Sequence, residues 1–431
     1  MTIALTGFAV LLLLCFLGAP VGFATLLVGY VGYGLLRGFD ASLTMVGQQV
    51  SHDAMNYGLS VIPLFVLMGV FIYRSDISSD LFSAANRRFG RLRGGLAYST
   101  VLSCGGFAAV SGSTLATAAT MTKVAMPSMR QHGYSDSIGS GTIAAGGTLG
   151  IMIPPSVPLV AYGLIAEQDV GQLFIAGILP GLLLMALFML TIRVQLFFNP
   201  ALAPEPSAGI EPAPTGGGTG VWPVVALFVL VLGGIYGGIF TATEASGIGA
   251  TGAASIAMLR GRLRSLAEWR AALAETVVLT AKIFAVLFGA LVFTQFVNLS
   301  GLPIAILRFV VSHQLSGMHV VLFVLLLALV MGMVFEAMGI LVLLVPMFIP
   351  ALFAAQVDMI WFGILVILVA EIGLLTPPIG MNVFVVKSVL PDVGLGAVFR
   401  GVMPYVGALF VALALILLLP PIATALPMLV R

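Results

Sequence analysis

The sequence predicts an all-α, polytopic membrane protein. Of its 431 residues, 60% are hydrophobic and only 8% are charged, against about 25% charged in ordinary soluble domains. Apolar stretches recur along most of the chain, and those of roughly 20 residues are long enough to cross a hydrocarbon core about 30 Å thick. Runs such as residues 322–333 are continuously apolar, whereas the strands of a membrane barrel alternate. Helices, which satisfy their own backbone hydrogen bonds in lipid, are therefore expected.

The apolar spans fall into two groups on either side of a polar segment. Residues 199–220 contain several prolines and a run of glycines, a composition typical of a flexible linker. We therefore expect a first unit at residues 1–198 and a second at 221–431. The spans predicted from hydropathy are 3–19, 21–36, 58–74, 95–115, 138–165, 172–198, 221–236, 238–259, 272–297, 302–313, 318–350, 359–375, 380–391 and 397–428.

Composition and motifs argue against a nucleic-acid partner, a cleaved signal and a functional cysteine pair. The net charge is +2 and no long basic or acidic run occurs, so a nucleic-acid partner is not expected. The apolar start, residues 3–17, lacks a preceding basic region and continues into further apolar sequence, which predicts a retained span rather than a cleaved signal. Cys15 and Cys104 lie in apolar or glycine-rich segments and are interpreted as packing residues, not as a disulfide or a metal site.

The two units repeat each other in their proline and glycine pattern. Residues 153–156 (Ile-Pro-Pro-Ser) correspond to residues 376–379 (Thr-Pro-Pro-Ile), an offset of 376 − 153 = 223. Residues 177–180 and 401–404 share a Gly-x-x-Pro pattern at an offset of 404 − 180 = 224. The two offsets differ by one residue, and this near agreement predicts an internal repeat.

The distribution of basic residues indicates how the two units are oriented. Short cytoplasmic loops carry an excess of Lys and Arg, so the basic run at 87–93 is expected inside. Its counterpart at 310–316 has no Lys or Arg, whereas the basic segment 260–270 corresponds to 37–47, which holds one arginine balanced by an aspartate. The basic loops thus swap sides, as in the inverted repeats of secondary transporters. This orientation places the amino terminus outside if the first two spans both cross the membrane.

Each unit contains segments at which a helix is expected to break. The first has Ser-Gly-Ser-Thr at 111–114 and a glycine-rich stretch ending in Pro-Pro-Ser at 146–156, and the second has matching breaks at 332–339 and 371–382. Glycine permits close backbone approach and proline removes a donor, so carbonyl oxygens are freed beside Ser and Thr hydroxyls. Neutral oxygens of this kind can coordinate an alkali cation. The alternative is close helix packing by small residues.

Three acidic residues, Glu244, Glu336 and Glu371, lie in apolar surroundings. A carboxylate inside a membrane is costly and is by default a functional candidate. A hydrogen bond at a helix end is the other interpretation, and both stay open for each residue. Lys282 is expected to snorkel toward the membrane surface.

With these motifs identified, the chain resembles the large membrane subunit of a tripartite ATP-independent periplasmic (TRAP) transporter, the dicarboxylate-type large permeases. The resemblance covers nearly the whole chain and is carried by residues 62–69, 111–113, 150–156, 237–245 and 376–382. The motif at 237–245 departs from the family at its sixth residue, which is alanine where proline is usual.

The resemblance implies a sodium-driven, elevator-type importer in the bacterial inner membrane. A transport domain with two re-entrant hairpins would slide past a fixed scaffold and carry a small organic acid. A periplasmic binding protein would deliver this acid, and a small four-helix membrane subunit would widen the scaffold. The implied sites are a first sodium site at Ser111, Ser113, Gly150, Ile153 and Pro155, a second at Gly332, Gly373, Thr376 and Ile379, and substrate contacts at Ser156 and Asn382.

Two rival functions follow from the sequence itself. A proton-coupled carrier of organic anions that acts alone would use Glu336 or Glu371 as a proton relay. A membrane-embedded enzyme is disfavoured because the four histidines mostly lie in predicted loops and no His-Glu-x-x-His or Gly-x-Ser-x-Gly pattern occurs. The chain also lacks the phosphate-binding loop of an ATPase.

Overall fold

The computed structural model describes residues 2–204 and 220–430, and every regular element within them is helical. Residues 205–219 of the predicted linker lie outside the described residues. Among those described, five helical segments are long and apolar enough to cross a membrane, or six if one pair bent by 41° counts as a single span. The prediction of an all-α membrane fold is confirmed.

The described part of the chain forms twenty α-helices and two short 3-10 helices. The 3-10 helices are Tyr57–Ser60 and Pro200–Leu202. The α-helices are α1 (Thr2–Phe16), α2 (Val21–Arg37), α3 (Phe39–Ala54), α4 (Val61–Arg74), α5 (Ile77–Phe89), α6 (Gly95–Ser111), α7 (Thr114–Gln131), α8 (Asp136–Met152), α9 (Val157–Ile165), α10 (Val170–Phe198), α11 (Trp222–Tyr236), α12 (Ala242–Leu259), α13 (Leu266–Leu299), α14 (Leu302–Ser312), α15 (Gly317–Gly332), α16 (Ala337–Ala354), α17 (Met359–Leu375), α18 (Met381–Val389), α19 (Leu395–Leu418) and α20 (Pro421–Leu429).

The order and lengths of the helices repeat along the chain. Helices α14 to α19 follow the pattern of α5 to α10, and corresponding starts are separated by 337 − 114 = 223 for α16 and α7 and by 381 − 157 = 224 for α18 and α9. These offsets equal those of the proline and glycine motifs. The single long helix α13 takes the place of α3 and α4 together.

Contacts between the two series of helices are reciprocal. Helix α9 packs against α16 while α18 packs against α7, α19 packs against α8 while α10 packs against α17, and α2 packs against α13 while α12 packs against α4. Reciprocal pairing of this kind is the mark of a two-fold relation. A two-fold relation between the two series would produce this pairing.

Two groups of helices are important for the site. The frame helices are α2, α4, α12 and α13, which pack on one another. Glycines in α2 allow this: a methyl group at Gly22 would lie 2.5 Å from the Ala285 carbonyl oxygen, and one at Gly29 would lie 2.7 Å from the Phe293 nitrogen. The hairpin helices are α6 with α7 and α15 with α16, and each pair is joined by a short tip.

Several span boundaries differ from the hydropathy prediction. The span predicted at 95–115 ends at Ser111, and the chain reverses through Gly112 (φ 56°) and returns as α7. Hydropathy missed α7 because threonines and Lys123 interrupt its apolar pattern. The long spans predicted at 318–350 and 397–428 are each two helices, broken before α16 and before α20.

Helix α5 was also missed, because only one of its faces is apolar. Its amino-terminal end is bound to the loop between α12 and α13, since Asp80 pairs with Arg260 and Asp76 pairs with Arg262. The basic run predicted at 87–93 begins at the other end of the same helix. The ion pairs therefore bring the second basic loop beside the element that carries the first.

Candidate functional site

The first break separates α8 from α9. Helix α8 ends at Met152, the peptide bond between Pro154 and Pro155 is cis, and Ser156 begins α9 as its N-cap. Both prolines are buried. The carbonyl oxygens that a continuous helix would bind are thus released inside the protein.

The tip between α6 and α7 lies directly against this break. A methyl group at Gly112 would lie 3.0 Å from the Pro155 carbonyl oxygen, and one at Gly150 would lie 2.8 Å from the Ser113 carbonyl oxygen. Such approaches are open only to glycine. The structure therefore brings together Ser111, Ser113, Gly150 and Pro155 of the first predicted sodium site.

The hydroxyl groups at this tip form a short chain of hydrogen bonds. Thr117 Oγ1 donates to the Ser113 carbonyl oxygen at 2.7 Å. Ser111 Oγ lies 2.9 Å from Thr117 Oγ1, so its own proton points toward Thr117 and its lone pairs stay available. Sequence analysis missed Thr117, although a threonine four residues after a helix-breaking serine is the signal that could have indicated it.

Ile153 is placed differently from its four partners. Its side chain packs beside α10, where a methyl group at Gly181 would lie 2.8 Å from Ile153 Cγ1. Only the main chain of Ile153 is left to bind the first sodium ion, and this role stays a prediction.

The second break, between α17 and α18, has a comparable arrangement of glycines. A methyl group at Gly373 would lie 2.4 Å from the Gly332 carbonyl carbon, so α17 and α15 touch at backbone distance. Thr376 Oγ1 donates to the Gly373 carbonyl oxygen at 3.3 Å. These three residues of the second predicted sodium site therefore lie together, whereas Ile379, beyond a proline pair that is also cis, is half-buried and stays a prediction.

The two predicted substrate residues are fully buried. Ser156 Oγ donates to the Ile151 carbonyl oxygen at 2.6 Å and accepts from the Leu159 amide at 3.4 Å, so its hydroxyl is engaged by the backbone. Asn382 Nδ2 donates to the Ala144 carbonyl oxygen at 3.1 Å, which joins α18 to α8. Asn382 Oδ1 has no hydrogen-bond partner among the described residues.

The three candidate glutamates have three different environments. Glu244 forms a capping box with Thr241 at the start of α12, accepting from its amide at 2.8 Å, so the helix-end interpretation accounts for it. Glu371 is fully buried in α17, and neither of its carboxyl oxygens has a hydrogen-bond partner within the described residues. Glu336 is exposed at the tip before α16.

A cavity of about 560 Å³ separates the first hairpin tip from the frame helices. Its lining includes residues 111–116 of the tip, residues 336–338 at the start of α16, and side chains of α4 and α13. Glu275 and Lys282 of α13 contribute charge, and sequence analysis did not assign either of them to a site. A lysine in the middle of an apolar helix is the signal that could have indicated this role.

The chemistry available at the two breaks is that of neutral oxygen ligands. Among residues 2–204 and 220–430, no cluster of three His, Cys, Asp or Glu side chains forms that could hold a metal ion. At the two breaks, neutral carbonyl and hydroxyl oxygens are able to replace water around a cation.

Comparison with known proteins then decides the family. Residues 8–422 match the family model described as "Tripartite ATP-independent periplasmic transporter, DctM component". This chain belongs to the DctM family of TRAP transporter large permeases. The resemblance inferred from the motifs is confirmed.

Curated members of the DctM family are similar along most of the chain. The C4-dicarboxylate TRAP transporter large permease of Pseudomonas aeruginosa is 36% identical over 372 residues, covering 86% of each chain. The sialic acid TRAP transporter large permease of Vibrio cholerae is 31% identical over 420 residues, covering 96% of each. This DctM protein is therefore a multi-pass transporter permease of the inner membrane.

A solved structure shares the fold at low sequence identity. The YdaH transporter of Alcanivorax borkumensis superposes with a TM-score of 0.66 over 88% of both chains, at 16% identity. At this identity the likeness supports the fold of the DctM chain alone.

Proposed function

We propose that this DctM protein is the membrane carrier of a sodium-coupled importer of small organic acids, which a periplasmic binding protein delivers. The observation that carries the proposal is the convergence of the Ser111–Ser113 tip with Gly150 and Pro155. Unwound backbone carbonyls at the midplane are the groups that coordinate Na⁺ in transporters built from inverted repeats. Ser111 Oγ and the Ser113 and Pro155 carbonyl oxygens would hold the first ion.

The second sodium ion would bind at the corresponding break of the other half. Gly332 and Gly373 touch through their backbones, and Thr376 adds a hydroxyl oxygen beside the Gly373 carbonyl. The oxygen ligands are again uncharged, so the ions would bring net positive charge to the site. That charge would favour an anionic substrate over a neutral one.

An elevator motion is supported by the way the helices are grouped. The cavity lies between the frame helices α4 and α13 on one side and the tips at residues 111–116 and 336–338 on the other. We propose that the frame helices stay fixed while the hairpin helices move with α8, α9, α17 and α18. Motion of one repeat-derived group against another around a fixed site is the usual form of alternating access.

The substrate class and the partners are proposed from the relatives. The two relatives compared here are named for C4-dicarboxylate and sialic acid, so a carboxylate is the expected common feature. The four-helix subunit would cover an exposed apolar face of α13 that includes Val277 and Val278, which are 65% and 53% exposed. Lipid would cover the rest.

Sodium dependence is the test of this proposal. The chain and its two partner proteins would be purified, the membrane components reconstituted into liposomes, and uptake of a labelled organic acid measured with a sodium gradient, a pH gradient or neither. We expect uptake only with the sodium gradient. Uptake driven by the pH gradient in sodium-free buffer would refute the coupling.

A proton-coupled carrier that acts alone is the second candidate, and Glu371 is the observation in its favour. A buried carboxyl group without partners is far less costly in its neutral form, so we propose that Glu371 carries a proton in this conformation. Glu371→Gln keeps the shape and removes the exchangeable proton. With sodium coupling, we expect Glu371→Gln to change sodium-driven uptake by less than about twofold, because a neutral group replaces a neutral group. Loss of pH-driven uptake in this variant would instead favour the proton-coupled carrier.

A further inference from the structure

The cavity beside the first hairpin tip is lined by a lysine that its neighbouring glutamate on the same helix does not neutralise. Glu275 and Lys282, which lie seven residues apart on α13, both line this cavity. Glu275 is held by Arg74 of α4, whose Nε and Nη2 both donate to the same carboxylate oxygen, at 3.0 and 2.7 Å. That pair is neutral as a unit, so Lys282 contributes a positive charge that Glu275 does not offset.

Lys282 lies at the middle of a long membrane helix. Helix α13 runs over 34 residues from Leu266 to Leu299, and Lys282 is near its centre. Leu279, Ile283 and Val286 line the same cavity, so the lysine belongs to the face of α13 that the cavity borders. In the described residues, the ion-pair partner of Glu275 is Arg74 and not Lys282. An ionisable side chain on a membrane-spanning helix is costly and therefore marks a functional position.

Glu336 lines the same cavity from the other group of helices. It precedes α16 as its N-cap residue, with an extended backbone and no side-chain capping bond, so its carboxylate is not engaged by its own helix. Lys282 and Glu336 are both exposed side chains, and no ion pair joins the two within the described part of the chain. Lys282 on a frame helix and Glu336 at a hairpin tip thus line one space of about 560 Å³, a volume typical of small-ligand sites.

We propose that Lys282 and Glu336 together select the substrate by its two ends. The substrate carboxylate binds the Lys282 ammonium, and a hydroxyl or ammonium group at the opposite end of the same molecule donates to Glu336. This inference rests on the proposed function and narrows its substrate class. The favoured substrates are hydroxy acids or amino acids with one carboxylate, since the second carboxylate of a dicarboxylate would meet Glu336 and be repelled.

The arrangement also gives the two groups of helices different tasks in recognition. Lys282 belongs to the frame and Glu336 to a hairpin tip, so a substrate that contacts both joins the two groups. Binding of that molecule would hold the tip against the frame, whereas a molecule with only one of the two groups would leave one charge unpaired in a partly desolvated site.

A matched set of four-carbon compounds tests the proposal on the full chain. The chain would be purified into lipid nanodiscs, and the shift in its thermal midpoint would be titrated with 4-hydroxybutyrate, 4-aminobutyrate and succinate, with and without sodium. We expect the two monocarboxylates to stabilise the wild-type chain at concentrations about tenfold lower than succinate, the difference expected from one charge-assisted hydrogen bond.

Two variants separate the roles of the charges. Lys282→Gln should raise the half-saturating concentration of both monocarboxylates about tenfold. Glu336→Gln should remove the preference against succinate while leaving carboxylate binding in place. Lys123→Gln is the matched control, because Lys123 is an exposed lysine on α7 that does not line the cavity.

Charge in the cavity can be measured without any substrate. Leu279→Cys, in a background with Cys15→Ser and Cys104→Ala, places a thiol on the same face of α13, where anionic and cationic methanethiosulfonate reagents report the local potential. Adding Lys282→Gln should lower the ratio of the anionic to the cationic rate about tenfold, and adding Glu336→Gln should raise it.

The outcomes distinguish this inference from the proposed function. Sodium-dependent binding that does not change in Lys282→Gln would overturn the inference and leave sodium coupling intact. Binding of the probes that is indifferent to sodium would count against the proposed function instead. Tighter binding of succinate than of the monocarboxylates, no stabilisation by any of the three compounds, or an unchanged rate ratio at Leu279→Cys would each refute the selection by two charges.

Discussion

The two Pro-Pro breaks differ in exposure although they share a sequence pattern and a backbone course. Pro154 and Pro155 are buried, whereas Pro377 and Pro378 are exposed. Both breaks follow a 17-residue helix and precede a nine-residue helix. The difference is therefore not in the segments themselves but in what covers them.

The helix that follows each break explains the difference. In the first half, α10 covers its own break, because a methyl group at Gly177 would lie 2.7 Å from the Met152 carbonyl oxygen and 3.4 Å from Pro154 Cγ. The corresponding glycine of α19, Gly401, instead meets Gly141 of α8, where a methyl group at Gly141 would lie 2.3 Å from the Gly401 carbonyl carbon. The same Gly-x-x-Pro motif thus contacts its own half in one case and the other half in the second.

Equivalent motifs of the repeat thus differ in exposure within one structure. The first break is covered and the second is exposed, an asymmetry of the kind that alternating access uses. Under the proposed function, the two breaks would exchange exposure during the transport cycle. Each prediction below tests one part of this asymmetry.

The largest expected effect is a difference in thiol labelling between equivalent positions. Ile379 corresponds to Ser156 at the offset of 223, and Ile379 is half-buried while Ser156 is fully buried. We expect Ile379→Cys to react with a water-soluble maleimide at least about tenfold faster than Ser156→Cys, because thiol reactivity requires access. The measurement is the rate of mass-tag addition in a background with Cys15→Ser and Cys104→Ala.

Equal labelling rates at the two positions would show that the breaks are equally accessible in the membrane. Unfolding in the presence of the reagent provides the control, since both thiols should then react at the same rate. A reversal of the two rates when sodium and substrate are added would be the direct sign of alternating access.

The next effect concerns the glycines that support the two breaks. A methyl group at Gly373 would lie 2.4 Å from backbone atoms of Gly332, and one at Gly150 would lie 2.8 Å from the Ser113 carbonyl oxygen. Gly373→Ala should therefore destabilise the protein by about 3 kcal/mol or more, and Gly150→Ala by about 1 to 3 kcal/mol, since neither backbone can yield cheaply. Thermal unfolding monitored by size-exclusion chromatography measures both.

Gly407→Ala is the matched control for these glycines. Gly407 also lies inside a helix, α19, but has open space around the added methyl group, so alanine should leave stability unchanged or raise it by about 1 kcal/mol. A Gly373→Ala variant as stable as Gly407→Ala would contradict the close contact between α15 and α17.

Removing the hydroxyl groups tests the ion sites with a smaller expected effect. Thr376→Ala removes the proposed ion ligand Oγ1, which donates to the Gly373 carbonyl oxygen. Ser113→Ala removes only the N-cap of α7, which accepts from the Ala116 amide, because Ser113 is proposed to bind the ion through its carbonyl oxygen. We expect the sodium concentration for half-maximal uptake to rise about tenfold in Thr376→Ala and about threefold in Ser113→Ala, with protein abundance unchanged. Unchanged sodium dependence in both variants, compared with the exposed control Ser388→Ala, would count against the ion sites.

Much of this comparison could be predicted from the sequence, because breaks have strong local signals. Paired prolines and glycine runs located both breaks and gave the offset that the helices share. The hairpin turn at Gly112 was visible only as a Ser-Gly-Ser motif, since α7 combines threonine and methionine with Lys123 and does not stand out as a membrane helix. Local chemistry thus predicts where a helix stops better than where the chain goes next.

Tertiary placement could not be predicted in the same way. Nothing local distinguishes the buried Pro155 from the exposed Pro378, because α10 and α19 decide the difference by their packing. The cavity face of Lys282 depends on the rotation of α13 against α4 and the hairpin tip. Glu244 was equally ambiguous in sequence, although the Thr241-x-x-Glu spacing is the signature of a capping box and could have settled it.

The smallest effect is expected for the two ion pairs that join α5 to the α12–α13 loop. Asp80 pairs with Arg260 and Asp76 with Arg262. At the offset of 223, Asp80 corresponds to Pro303 and Asp76 to Leu299, and neither of these side chains carries a charge. Because both members of the Asp76–Arg262 pair are more than half exposed, Arg262→Ala should cost under about 1 kcal/mol and should lose its effect at high salt. Arg260→Ala should cost more, because its pair with Asp80 is better shielded from water. Thermal midpoints at low and high salt compare the two variants, and an equal, salt-independent loss in both would show that the ion pairs are not what holds α5 to the loop.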